Sequence, residues 1–189
     1  MLSKTVFILC LLLLGLHLRA DDKIAVTIVP EASTDWPDGV LRGKINYDRD
    51  FHVVVSNKSP DAVRVWRDWC SWGYYNLSFD VKLANGNFGI VYHLKKKGRI
   101  WSGNYPEFYI VTPYSYYVMT VNFKEDWNSR EAFPYELKKN EDVLIKAIYT
   151  IPSDKDAENY RIWTGTVESE WLRVALSWPD DQQVSNKSK

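Results

Sequence analysis

The sequence predicts an all-β protein, a single immunoglobulin-like β-sandwich of about eight strands. Apolar and polar residues alternate along several short runs, which is the pattern of strands buried on one face. Turn-forming residues separate these runs, and no segment keeps the apolar period of about 3.6 residues that an amphipathic helix needs. This pattern favours a sandwich, and a closed β-barrel is the alternative architecture that it allows.

The strands predicted in the first half of the chain end at recognisable turn signals. Pro30 ends the first strand because proline lacks an amide hydrogen, and a loop is expected over 31–39. Asn85-Gly86 supplies the positive φ angles of a tight hairpin. The predicted strands of this half cover 24–28, 51–55, 63–65, 76–83 and 88–94.

The second half contains the predicted central strand. Residues 142–151 carry apolar side chains on both faces, which indicates a strand covered on both sides. The polar stretch 124–140 is interpreted as a crossover loop with at most one helical turn, and 153–160 as a charged loop. The other predicted strands cover 108–111, 114–123, 161–167 with an interruption at Gly165, and 171–178.

The N-terminus has the layout of an export signal. Lys4 precedes an apolar run over 6–16, and Leu18-Arg19-Ala20 ends in the small residue expected at a cleavage site. The run of about 11 residues is much shorter than the roughly 20 that span a bilayer, and no later run is longer, so no transmembrane segment is expected after removal of the signal. Cys10 lies in the middle of the apolar run, where a lipid-attachment site is not expected.

The chain therefore divides into three predicted parts. Residues 1–20 form a signal peptide, 21–178 form one β-sandwich domain, and 179–189 form a polar, disordered tail. The protein is expected to be secreted or to reside in the periplasm or cell envelope, as a monomer.

Charge and cysteine content exclude several classes of partner and fold. Residues 1–20 hold two basic residues and no acid, so 22 of the 24 basic residues and all 24 acidic ones remain, a net charge of −2. This balance gives no attraction to nucleic acid or to an anionic membrane. Cys70 is the single remaining cysteine, so no intrachain disulfide is possible, and its tryptophan neighbours predict a buried, inert thiol. Asn-x-Ser sequons begin at Asn57, Asn76 and Asn186, and their use depends on the host.

The sequence contains no recognisable catalytic or metal-binding pattern. His52 and His93 lie inside predicted strands, where an ordinary sheet-face histidine is the expected role. The acidic stretch 154–158 lacks the glycine and the glutamate that a calcium-binding EF-hand loop needs at positions occupied here by Asn159 and Gly165. A carboxylate pair of the glycosidase type stays open, because such a pair is defined in space. We therefore predict no enzymatic activity, no catalytic residue, no cofactor and no metal.

The segment 66–75 is the main candidate for a binding surface. Nine tryptophans in the chain exceed what a core of this size requires, although packing at a corner between two strands is the competing interpretation. Extending the strand alternation from Val65 predicts Trp69 as a buried anchor and Trp72 as the exposed ring. The candidate binding residues are Trp66, Trp72, Tyr74 and Tyr75.

These observations predict an exported, non-catalytic module that binds a macromolecule, either a protein or a polysaccharide. One alternative is inhibition of a peptidase through a projecting loop. Another is carbohydrate binding through exposed tryptophan and tyrosine rings. Fold class does not rank these functions, since β-sandwiches carry many of them.

Three short segments also resemble a known group of proteins. They are Val54-Val55-Ser56-Asn57-Lys58-Ser59, the segment 66–75, and Ala147-Ile148-Tyr149 followed by 163–169. Together they resemble exported, largely uncharacterised bacterial proteins with an immunoglobulin-like sandwich, over about residues 50–177. The resemblance implies a sandwich fold and a bacterial envelope setting, and it implies no catalytic residue.

Overall fold

The computed structural model describes residues 23–33, 42–84, 90–128 and 141–177, which contain twelve strands and two short helices. The strands are β1 (Ile24–Val29), β2 (Glu31–Ser33), β3 (Arg42–Asn46), β4 (Phe51–Asn57), β5 (Val63–Trp66), β6 (Leu77–Leu83), β7 (Tyr92–Leu94), β8 (Phe108–Val111), β9 (Tyr116–Val121), β10 (Glu141–Ile151), β11 (Gly165–Glu168) and β12 (Leu172–Ser177). The helices are α1 (Ser71–Tyr74) and α2 (Lys155–Tyr160). The predicted all-β class is confirmed.

The strands form two larger sheets and a ribbon. The smaller sheet has the order β1-β4-β9, and the larger one has the order β2-β3-β12-β10-β6-β7 with β11 also paired to β10. β5 and β8 form a separate two-stranded ribbon. β10 pairs with β6 along one edge and with β12 and β11 along the other, so the predicted central strand is confirmed.

The two larger sheets pack face to face around an aromatic and aliphatic core. The ring of Phe51 in β4 lies 5.8 Å from that of Phe79 in β6, and both rings contact Phe123. The Tyr117 hydroxyl of β9 donates a 2.9 Å hydrogen bond to the Tyr149 hydroxyl of β10. These contacts join opposite sheets, and no sheet within the described residues closes into a barrel. The protein is an all-β sandwich.

The described residues contain twelve strands where the sequence predicts about eight, and β2 and β3 lie outside every range predicted as a strand. β2 lies in the predicted loop 31–39, and β3 has Ile45 as its one large apolar residue. Neither segment therefore shows the alternation of apolar and polar residues that predicts a strand. β3 is held by parallel pairing to β12 and antiparallel pairing to β2, which are contacts between distant parts of the chain. Short strands of this kind depend on tertiary pairing more than on local pattern.

The prediction of a charged loop over 153–160 is wrong, because six of these residues form α2. Asp154 caps this helix: its Oδ1 accepts a 2.7 Å hydrogen bond from the Ala157 backbone nitrogen. Ala157 is buried against the core, and Arg161 ends the helix in a left-handed conformation with a φ angle of 55°. The strand predicted over 161–167 therefore begins only at Gly165.

Several predictions fall on residues outside the described ranges. These are the signal peptide, the start of the mature chain near Asp21, the Asn85-Gly86 turn, most of the crossover loop over 124–140, and the tail. In the ranges that are described, no helix has the length and apolar character needed to cross a membrane.

Candidate functional site

The aromatic segment 66–75 connects the ribbon to the larger sheet through a single helical turn. The Cys70 backbone nitrogen donates to the Arg67 carbonyl, and the Gly73 nitrogen donates to the Cys70 carbonyl. A Cβ atom on Gly73 would lie 2.0 Å from the Arg67 oxygen, so the turn requires glycine at this position. The Cys70 thiol is buried and donates to the same carbonyl, which confirms the predicted buried thiol.

Two of the four predicted binding residues are part of the core. Trp66 and Tyr74 are each only 2% exposed, so neither offers a ring face to a partner in this structure. Trp66 is buried because its ring packs 5.5 Å from Tyr160 of α2 and 5.9 Å from Trp72. Helix α2, which the sequence did not reveal, is the reason for this burial.

The predicted roles of Trp69 and Trp72 are also corrected. Trp69 is 50% exposed rather than buried, because the chain leaves β5 after Trp66 and the alternation of the strand ends there. Trp72 is half-buried, and Tyr75 is about half exposed. The segment is therefore neither purely core nor purely surface.

Trp72 forms one wall of a cleft of about 420 Å³, which we name the Trp72 cleft. It lies where β6 begins and β10 ends, because the Thr150 nitrogen of β10 donates to the Asn76 carbonyl next to β6. Its volume lies within the range of roughly 300–1,000 Å³ found for small-ligand sites. The lining residues are Trp66, Ser71, Trp72, Tyr75, Asn76, Thr150, Pro152 and Asp154.

Helix α2 fixes the orientation of the Trp72 ring. The indole nitrogen of Trp72 donates a 2.8 Å hydrogen bond to Asp156 Oδ2 in the first turn of α2. The ring also packs against Trp66, with the ring centroids 5.9 Å apart and an interplanar angle of 37°. The indole is thereby held by two residues, which leaves it preorganised as a wall of the cleft.

A lining residue of the same cleft has a buried amide without a hydrogen-bond acceptor. Asn76 is 4% exposed, and no acceptor meets hydrogen-bond geometry at its Nδ2 atom. The Tyr149 hydroxyl lies beside this amide. Burial raises the pKa of Tyr149, and the donor groups of Tyr117 and Asn76 next to its oxygen act against that rise. Because Nδ2 carries two N–H groups, the Tyr149 oxygen can occupy at most one of them. The Nδ2 atom has almost no solvent-accessible surface, so in this conformation the amide N–H groups face the protein interior and the Tyr149 hydroxyl.

A second cleft of about 240 Å³, named here the Trp101 cleft, borders the same aromatic segment at Trp69 and Cys70. The Trp101 indole nitrogen is buried and also has no acceptor. Its lining residues are Trp69, Cys70, Arg99, Ile100, Trp101, Ser102, Gly103, Asn104, Tyr105 and Glu107.

The loop 95–107 that forms the Trp101 cleft is tied to the aromatic segment by polar contacts. Asn104 accepts a hydrogen bond from the Ser71 nitrogen and donates one of 2.6 Å to the Ser71 hydroxyl. The Arg99 nitrogen donates to the Tyr75 hydroxyl at 3.2 Å. Burial lowers the pKa of Lys96, whose ammonium lies 4.4 Å from the centre of the Tyr74 ring.

Arg67 and Glu107 hold the Trp69 ring in place at the rim of the Trp101 cleft. The Arg67 guanidinium lies over the Trp69 ring at 4.6 Å and over Tyr109 at 4.8 Å. Glu107 accepts from the Trp69 indole nitrogen at 3.3 Å and pairs with Arg67 at 3.4 Å. The exposed ring is thus held in one orientation although half of it faces solvent.

The other candidate groups do not assemble into a reactive site. His52 and His93 are exposed on strand faces, and His93 Nδ1 lies 2.6 Å from Asp80 Oδ1. In the described part of the chain, no three side chains of the His, Cys, Asp or Glu type come together as metal ligands. Asn57 and Asn76 are both buried, so neither sequon presents its amide to a glycosylating enzyme in the folded protein.

Comparison with known proteins adds no family assignment: the chain matches no protein-family model, no curated protein and no solved structure. The interpretation of the two clefts therefore rests on their own chemistry.

Sequence reasoning found the aromatic wall of the Trp72 cleft and missed its polar groups. In the sequence, Asn76 stands out only as part of a sequon. Its position between the pair Tyr74-Tyr75 and a predicted strand is the signal that could have marked it as a residue of the cleft. Thr150 and Asp154 come from a distant part of the chain, and only the pairing of β10 with β6 brings them to the cleft.

Proposed function

We propose that this protein is an exported, non-catalytic binding module and that the Trp72 cleft binds a carbohydrate. The observation that carries the proposal is a cleft walled by the Trp72 ring, which Asp156 holds in one orientation, and by the half-exposed Tyr75 ring. Such a cleft combines an apolar surface with a few fixed polar groups, as ligand sites usually do. The signal-like residues 1–20 support export, and the bacterial envelope proteins that the sequence resembles support the same setting.

The chemistry of the cleft favours a neutral ligand with many hydroxyl groups. The exposed Asp154 carboxylate at the rim disfavours an anion, and the other polar lining residues, Ser71, Tyr75, Asn76 and Thr150, are uncharged hydroxyl or amide groups. A sugar ring offers hydroxyls that both donate and accept, together with a C–H face that packs on an indole. Each group of the cleft then has a matching group on the ligand.

An array of neutral glycans, covering glucans, galactans, mannans, xylans and chitin oligomers, tests this proposal. We expect at least one glycan to bind, and we expect Tyr75→Ala to weaken its affinity about tenfold. The matched control is Tyr116→Ala, which removes an exposed tyrosine of β9 that lines neither the Trp72 cleft nor the Trp101 cleft. Absence of binding to every glycan would refute carbohydrate recognition.

Asn76→Leu separates the binding role of this residue from a structural one. Leucine has a similar size but removes the amide that lies beside the buried Tyr149 hydroxyl, so a small fall in Tm is expected. We expect this small fall together with about a tenfold loss of glycan affinity, because Asn76 lines the cleft. A large drop in Tm would indicate that the amide serves the fold and not a ligand.

A second candidate function, inhibition of a peptidase through a projecting loop, is favoured by one observation. Ile100 is 96% exposed at the tip of the loop 95–107, and a fully exposed aliphatic side chain is suited to a pocket on a partner. Inhibition assays against serine, cysteine and metallopeptidases would test it. Ile100→Asp should abolish any inhibition found without reducing binding at the Trp72 cleft, which Ile100 does not line.

A further inference from the structure

We infer that the carbohydrate ligand is a chain that runs from the Trp72 cleft across the aromatic segment into the Trp101 cleft. This inference rests on the proposed function, because it concerns the length of the glycan that the module recognises. It assigns the Trp101 cleft as a second subsite, with the aromatic segment as the ridge between the two subsites.

The two clefts lie side by side along the chain. Cys70 lines the Trp101 cleft, and the next residue, Ser71, lines the Trp72 cleft. The ridge between them is fixed, since Asn104 makes hydrogen bonds to both the backbone and the hydroxyl of Ser71.

The second cleft repeats the chemistry of the first. It has an aromatic rim made by Trp69, which is half exposed, and by Tyr105, which is 75% exposed. It also has polar lining groups, among them Ser102 and Asn104. Two neighbouring clefts that each join an aromatic rim to uncharged polar groups are suited to a polymer that repeats the same unit.

The polar groups of the second cleft are also compatible with a neutral chain. Arg99 and Glu107 both line it, so hydroxyl groups find an additional donor and acceptor there without a net charge of one sign. Its smaller volume, about 240 Å³ against 420 Å³, suggests that the Trp72 cleft makes the larger contribution to affinity. Short ligands should therefore occupy the Trp72 cleft first.

Calorimetry with a length series tests the inference. The best glycan from the array is cut to oligomers of one to six units, and each is titrated into the wild-type protein, Tyr105→Ala, and the control Tyr116→Ala. We expect wild-type affinity to rise at least tenfold from the shortest binding oligomer to the longest. Tyr105→Ala should remove this rise and leave the affinity for the shortest oligomer unchanged, while Tyr116→Ala should match the wild type.

The outcomes separate the two proposals. Binding that does not depend on oligomer length, or a Tyr105→Ala protein that keeps the full rise, would overturn the second subsite and leave the Trp72 cleft as a single site. Failure of every glycan on the array would overturn the proposed function and this inference together. Equal Tm values for wild type and Tyr105→Ala would exclude unfolding as the cause of any loss, as expected for a side chain that is mostly in solvent.

Discussion

Trp66 and Trp69 lie three residues apart and have opposite environments. Trp66 packs between Trp72 and Tyr160, while Trp69 has one face in solvent and its edge near Tyr109. Trp66→Ala should lower the free energy of unfolding by about 3–5 kcal/mol because it empties a buried aromatic site. Trp69→Ala should lower it by about 1 kcal/mol, the value of its ring and cation contacts. Urea unfolding of the two variants measures this difference, and a larger loss for Trp69→Ala would contradict the assignment of the core.

Asn57 fixes the turn after β4 with a fully used side chain. Its Nδ2 donates to the carbonyl oxygens of Asp61, Val111 and Thr112, and its Oδ1 accepts from the backbone and hydroxyl of Ser59. Asn57→Ala should lower the free energy of unfolding by about 3 kcal/mol, because it leaves several buried groups without partners. Chemical denaturation measures the effect. The exposed neighbour gives the control: Lys58→Ala should change stability by less than about 0.5 kcal/mol.

Asn57 and Asn76 illustrate what could be predicted at single residues and what could not. Both were recognised as polar residues in sequons, but an Asn-x-Ser pattern carries no information about burial. Burial of Asn57 follows from carbonyl groups more than fifty residues away in β8 and just after it. Burial of Asn76 follows from the pairing of β6 with β10. Long-range pairing thus decided the roles of both.

At the scale of elements, helix α2 links stability to the Trp72 cleft. Asp154 caps the helix, and Asp156 in its first turn holds the Trp72 indole. Asp154→Ala should lower the free energy of unfolding by about 1 kcal/mol, the usual effect of removing an N-cap. It should also weaken glycan binding, since the orientation of Trp72 depends on the first turn. Thermal unfolding and calorimetry measure both effects, and an equal loss in the exposed control Lys155→Ala would contradict the capping role.

The elements that could be predicted are those with a strong internal pattern. β1, β4, β6 and β10 alternate clearly, and the predicted and observed ranges agree closely. α2 could not be predicted by periodicity, because six residues make fewer than two turns and only Ala157 is buried. The capping residue Asp154 was the one local signal for this helix, and it was interpreted as part of a charged loop.

At the scale of the whole molecule, the sandwich contains no disulfide that could join its sheets, because Cys70 is the one cysteine in the described residues and it is free. The sheets are held by packing and by a small number of polar contacts such as the one between Tyr117 and Tyr149. Those contacts depend on protonated hydroxyls, which makes the assembly of the two sheets sensitive to alkali.

The stability of the sandwich should fall as the pH rises above about 10. Burial raises the pKa values of Tyr149 and Tyr117 from the ordinary value of 10.0, so both stay protonated in the folded protein while they ionise in the unfolded chain. Their contribution is therefore complete below about pH 10 and is lost above it, by roughly 1.4 kcal/mol per tyrosine and pH unit, or about 3 kcal/mol for the pair between pH 9 and pH 11. The lowered pKa of Lys96 acts in the opposite direction, while the raised pKa values of Tyr74, Tyr109 and Lys146 add to the loss. Urea unfolding across this range measures the loss: Tyr149→Phe should reduce it by about 1.4 kcal/mol, the exposed control Tyr116→Phe should not, and equal losses in all three proteins would mean that the buried tyrosine pair does not govern alkaline unfolding.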